Sequence, residues 1–181
     1  NDTTFSLLAI RKSGEPHSIT FNGNSFNGQG RSGYDLAYIP TGAGDPNVVF
    51  ASGDVANDVM EFVNSKGCIS KYAGQIIPRN TCDNPWQGRI DLRITQDLAL
   101  NDKGHKLVGY LDVQNLYNLL SNSNGWAQEV NYNVSRAIDI SGADDSGRYL
   151  ISGVDTDDNY FYSTANGQSM WQINFGLAYR F

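Results

Sequence analysis

No stretch of the chain approaches the ~20 consecutive apolar residues that a membrane-spanning helix needs, so a helical span is excluded. That absence leaves strands untouched, because a spanning β-strand takes only about 9–11 residues, alternates apolar with polar, and keeps mean hydropathy low. Basic residues are also scarce: 13 Lys and Arg stand against 19 Asp and Glu, for a formal net charge of −6, and no basic cluster appears. A nucleic-acid surface needs one, so nucleic acid is excluded as a partner. The only histidines, His17 and His105, have no ligand-spaced Cys or acidic neighbours and are expected to be ordinary surface or turn residues. No metal site or cofactor is expected. The glycine-rich stretch Thr41 to Pro46 lacks both GxGxxG and a following GK[ST], and Pro46 disfavours a helix, so it is expected to be a turn. No nucleophile motif occurs, and an enzyme is not expected. There is neither an initiator Met at Asn1 nor a signal peptide, from which a processed piece or a renumbered part of something longer is expected.

Cysteine is nearly absent too. Cys68 and Cys82 lie in a Gly-, Pro- and Asn-rich region without CxxC spacing, and are expected to form a disulfide in an oxidising compartment. Closing that interval would contribute on the order of 3 kcal/mol.

Alternation is abundant. Counting back in twos from Phe181 gives Tyr179, Leu177, Phe175, Ile173 and Trp171, with mostly small or polar residues between, which only a strand places on one face. A strand at about 88–98 sets Ile90, Leu92 and Ile94 opposite Arg89, Asp91, Arg93 and Thr95. Another at about 106–115 sets Leu107, Gly109, Leu111 and Val113 opposite Val108, Tyr110, Asp112 and Gln114. Asn101 to Gly104 supplies turn chemistry, so these two form a hairpin with Asp112 near Arg89 or Arg93. Further strands are expected at 4–11, 17–21, 128–140 and 148–154. Long loops separate them, above all about 22–87. One loop carries a short helix capped by Asp54, with Val55, Val59, Phe62 and Val63 on one face and Gly67 at its end. No domain boundary or internal repeat is visible.

Asp155, Asp157 and Asn159 alternate like the start of a calcium loop, but Tyr160 and Asn166 occupy the places of its glycine and glutamate. A solvated acidic loop is expected there, as at Asp144 and Asp145. Trp86, Trp126, Trp171 and the tyrosines suit either a sugar-stacking surface or the aromatic girdles of a membrane barrel, and Trp171 and Phe181, near opposite ends of one strand, fit girdles better.

Several stretches together resemble the C-terminal region of Oar-like TonB-dependent receptors. They are Phe5-Ser6-Leu7-Leu8-Ala9-Ile10-Arg11-Lys12-Ser13-Gly14-Glu15-Pro16, Ala37-Tyr38-Ile39-Pro40-Thr41-Gly42, Asp45-Pro46-Asn47-Val48, Ser70-Lys71-Tyr72-Ala73-Gly74-Gln75, Pro78-Arg79-Asn80-Thr81-Cys82 with Pro85-Trp86, Arg89-Ile90-Asp91-Leu92-Arg93, Gly104-His105-Lys106 and Asp112-Val113-Gln114-Asn115-Leu116. The final strand is similar to the assembly signal of outer-membrane proteins, a terminal Phe181 preceded by the alternating Trp171, Ile173, Phe175, Leu177 and Tyr179.

The resemblance implies an all-β, antiparallel transmembrane β-barrel segment spanning 1–181, about six strands of a larger barrel, with the plug domain and earlier strands absent. Ile90, Leu92, Ile94, Leu107, Leu111, Val113 and the terminal series would face outer-membrane lipid, and Arg89, Asp91, Arg93 and Asp112 the lumen. Implied partners are the rest of the barrel and plug, the TonB complex through the absent N-terminal part, and the barrel assembly machinery, in active uptake of a scarce ligand. The alternative is an extracellular or cell-surface β-rich structural or adhesive protein that assembles from copies of itself.

Overall fold

The computed structural model describes residues 2–23, 35–101, 103–121, 125–130, 134–155, 163–164 and 169–181. Among the described residues strands predominate over three helices, none of them long and apolar enough to cross a membrane.

Where one barrel sheet is expected, the chain divides into two compact units. Unit 1 comprises 1–13, 85–128 and 164–181. It is built on a four-stranded antiparallel sheet in the order β1 (Asp2–Lys12), β7 (Gln87–Ala99), β8 (Lys106–Gln114), β13 (Gln172–Arg180). Three of them come from the segments whose apolar residues alternate most regularly, the less regular segment at 4–11 forms β1, and all four strands end within three residues of their expected bounds. β7 and β8 form the expected hairpin. Its turn is held by Asn101, whose Oδ1 accepts from the backbone N–H of Lys103 and His105, and by Gly104 at φ +90°, which a side chain would strain.

Register decides which ends the connections leave from. Lys12 pairs with Gln87 and Gln114 with Gln172, so both long insertions, 13–86 and 115–171, leave and re-enter the sheet at one end. The short β7–β8 turn closes the other. Helix α3 (Leu116–Leu120) follows β8 directly and is capped by Asn115 in the left-handed region.

Unit 2 comprises 14–84 and 129–163, one piece from each insertion. Its mixed sheet runs β4 (Val48–Phe50), β11 (Tyr149–Val154), β10 (Val134–Ala143), β2 (Pro16–Gly23), β6 (Cys82–Asp83). β10 pairs in parallel with β2, and β11 in parallel with β4. The segments expected at 17–21 and 148–154, and the part of 128–140 that begins at Val134, therefore build this second sheet, which corrects the count of about six strands in one sheet to four. Alternation says that a strand buries one face; it carries nothing about which sheet the strand joins.

Helix α1 (Gly53–Ser65) buries Ala56, Val59, Phe62 and Val63 and packs on β11 and β4. Its cap is Ser52, whose hydroxyl accepts from the Val55 N–H, and Asp54, the expected cap, sits in the first turn where its charge favours the helix dipole. Helix α2 (Gly67–Ser70) follows, and the core closes with Ile19, Phe21, Ile39, Ile69, Ile77, Ile138 and Ile151. Two-residue strands complete the description: β3 (Tyr38–Ile39) pairs with β5 (Gln75–Ile76), and β9 (Gln128–Glu129) with β12 (Ser163–Thr164). Asp157, Asn159, Tyr160 and Asn166 lie outside the described residues.

Candidate functional site

Residues paired across antiparallel strands share a face, so the register of unit 1 sorts its side chains into two sets. One face carries the rows Leu7–Leu92–Val113–Ile173 and Phe5–Ile94–Leu111–Phe175, then Leu98–Leu107–Tyr179. Most of it is uncovered: Phe5 is 69 % exposed, Leu177 74 % and Phe175 85 %, while Val113 is buried. Polar atoms intrude on this face at Thr3 and Gln96, where the Thr3 hydroxyl donates to Gln96 Oε1 at 2.5 Å, so each partly satisfies the other.

The opposite face gathers the charges. Arg93 and Asp112 are register partners 3.3 Å apart, Arg89 Nη2 meets Asp91 Oδ2 at 2.7 Å, and Lys106 meets Asp97 at 3.7 Å. Of the two arginines offered to Asp112 by the sequence, Arg93 takes it and Arg89 bonds Asp91. Each pair is partly exposed and worth about 0–1 kcal/mol, so their weight lies in holding side chains in place. Arg93 also lies over the Tyr110 ring, 5.0 Å from its centroid. Leu8, Ile10 and Val108 share this face and keep it from being uniformly polar.

Aromatic groups collect at both ends of the apolar face. At the insertion end stand Trp86, with the Arg11 guanidinium 5.1 Å from its ring centroid, and Trp171. At the turn end Tyr179 stacks between His105 and Phe181, and its hydroxyl lies 2.5 Å from His105 Nδ1. Within the strand, Ile173, Phe175, Leu177 and Tyr179 share one face. Uncovered apolar area of this extent, rimmed by amphipathic rings, is what a soluble monomer avoids.

No family model, curated protein or solved structure matches the chain. The functional reading therefore rests on the two-faced sheet.

Unit 2 carries polar clusters with structural work to do. Cys68 and Cys82 form the expected disulfide, with Cα atoms 5.4 Å apart. His17 pairs with Cys82 in register and is 3 % exposed, a correction to its expected surface position: it sits on β2, whose middle is buried. The sequence signal was available, since His17 opens a strand that continues through Ile19 and Phe21. Burial first, then the Lys66 charge, lowers the His17 pKa to about 4, against a smaller raising effect of Asp83.

The turn at Thr41 to Pro46 is organised by Asp45. Its carboxylate accepts from the Thr41 N–H at 2.7 Å, the Thr41 hydroxyl at 2.9 Å, the Asn47 N–H at 2.8 Å and the Tyr38 hydroxyl at 3.1 Å. Burial pushes the Asp45 carboxyl up, but these bonds outweigh it and hold it below the usual carboxylate range. Asp144 likewise shapes the β10–β11 turn, accepting from the N–H groups of Ser146 and Arg148 and from Arg148 Nε. Among the described residues no three His, Cys, Asp or Glu side chains gather around a possible metal position.

Proposed function

We propose that unit 1 is four strands of the wall of a transmembrane β-barrel in the bacterial outer membrane, and that the chain is the C-terminal part of a TonB-dependent receptor that takes up a scarce ligand. The observation that carries this reading is the pairing of one exposed apolar face with one ion-paired face across a single antiparallel sheet. A barrel wall requires both: alternate residues meet lipid, the others meet an aqueous lumen, and every backbone group is satisfied by a neighbouring strand. The end asymmetry supports it, since barrels have short turns on the periplasmic side and long loops outside. The terminal Phe181 and its alternating companions then serve as the assembly signal, and Arg89, Asp91, Arg93 and Asp112 line the lumen. Uptake needs the plug, the remaining strands and the TonB complex as partners.

Nitroxide labels placed singly at Leu111, Phe175 and Leu177, and at Tyr110, Asp112 and Asn174, test the wall in lipid vesicles. The first set is expected to collide with dissolved oxygen and the second with a water-soluble nickel chelate. Equal aqueous accessibility of both sets removes the membrane wall.

A second reading draws on the sheet edges. Within the described residues β1 and β13 each pair on one side only, which offers N–H and C=O rows to another chain. Copies adding edge to edge would make a cell-surface or extracellular structural assembly. Sedimentation in detergent-free buffer separates the two, because ordered soluble oligomers favour assembly.

A further inference from the structure

Above the ion-paired face of unit 1, at the insertion end, lies a cavity of about 310 Å³, at the lower end of the size range of small-molecule sites. Its walls include Ile10, Lys12, Gln87 and Arg89 from the sheet, and Trp126 and Ala127 from the segment that crosses it. That segment is fixed. The Asn115 amide donates to Gly125 O at 2.8 Å, and Ala127 N–H donates to the Ser169 hydroxyl at 2.9 Å. Asn115 N–H in turn donates to Asp91 Oδ1 at 2.8 Å, while Asp91 Oδ2 binds Arg89. One bonded chain thus positions both the arginine and the loop bearing Trp126.

Charge and shape then select a ligand class. Asp91 matches Arg89, whereas no carboxylate among the described residues lies within 4 Å of Lys12, which leaves one unmatched positive charge at the cavity. The remaining lining is mostly apolar, with one indole ring and one uncharged amide, too few hydrogen-bonding groups to take the hydroxyls of a sugar. We propose that this cavity binds a small aromatic carboxylate, its anion held by Lys12 and its ring stacked on Trp126. The proposal stands whether or not the opposite face meets lipid.

Titration calorimetry of the full chain in neutral detergent, with 2-naphthoate as the probe, tests it. We expect measurable binding, a loss of about tenfold in affinity for Lys12→Met, near-complete recovery in Lys12→Arg, and weakening in Trp126→Ala. Lys103→Met serves as the unaffected control. The uncharged 2-naphthamide and the sugar acid glucuronate should each bind at least tenfold more weakly than naphthoate. Equal binding of either compound, unchanged affinity of Lys12→Met, or no naphthoate binding at millimolar concentration would each overturn the assignment.

Discussion

Tyr110 lies across Gly176 on the ion-paired face of the sheet, and its ring and hydroxyl occupy the space in which a Cβ at residue 176 would stand. The ring is held there from the other side of the β8 strand row by Arg93, itself bonded to Asp112. An aromatic ring covering a cross-strand glycine both fills the pleat and pins register. Gly176→Val is therefore expected to cost about 1–3 kcal/mol through overpacking. Tyr110→Ala introduced into that variant should recover part of the loss, read as non-additivity in urea unfolding from detergent micelles. Simple addition of the two penalties would show that the ring does not constrain residue 176.

Much of unit 1 was legible because its strands obey one rule over long runs. Phe175, Leu177 and Tyr179 alternate without exception, and Asn101 and Gly104 mark the short turn between β7 and β8. Unit 2 was not legible for a physical reason. β10 sits between β11, its hairpin neighbour, and β2, more than a hundred residues earlier, and no local pattern states such a pairing. The cap at Ser52 was missed because Ser52 and Asp54 are both good capping residues two positions apart, and backbone geometry chooses between them. The roles of Asp45 and of Gly176 depend on a folded turn and on a cross-strand partner, so sequence spacing alone gives neither.

The disulfide joins the segment after α1 to the edge strand β6, beside His17. Replacing both Cys68 and Cys82 by Ala is expected to destabilise unit 2 by about 3 kcal/mol, chiefly by freeing the unfolded loop. Urea denaturation followed at a probe in unit 2, with and without reductant, measures it. The wild type in reductant should fall to the level of the double variant; identical midpoints for all four samples would show that the bond adds no stability.

Acid should weaken unit 2 in two steps. The neutral, buried His17 titrates at about 4 in the folded chain, whereas an unfolded histidine takes its proton near 6.5. Between those values the unfolded state binds the extra proton, so stability falls as pH drops from about 6.5 to 4, by on the order of 2 kcal/mol. Asp45, held below the usual carboxylate range, withdraws its contribution at lower pH still, as its carboxylate is protonated and loses the bonds from Thr41, Asn47 and Tyr38. Urea midpoints from pH 7 to 3 report both. His17→Phe should flatten the upper step while leaving the lower one, and persistence of the full upper slope in that variant would assign it to another group.

Leu111 stands in a central strand of the sheet, between Ile94 and Phe175 on the apolar face. If that face meets hydrocarbon, an arginine there is expected to cost about 2–4 kcal/mol near the bilayer midplane, and the cost should shrink toward either end of the strand. Leu98→Arg, near the aromatic turn end, is the shallow comparison, and Asn174→Arg, on the ion-paired face beside Asp112, is the water-facing one. Equilibrium folding into lipid vesicles therefore should rank Leu111→Arg as the most damaging and Asn174→Arg as nearly neutral. In water the ranking has no reason to depend on depth, because a half-exposed surface leucine replaced by arginine typically changes stability by no more than about 0.5 kcal/mol. A flat response across the three positions would remove the lipid contact from this face, and with it the barrel wall.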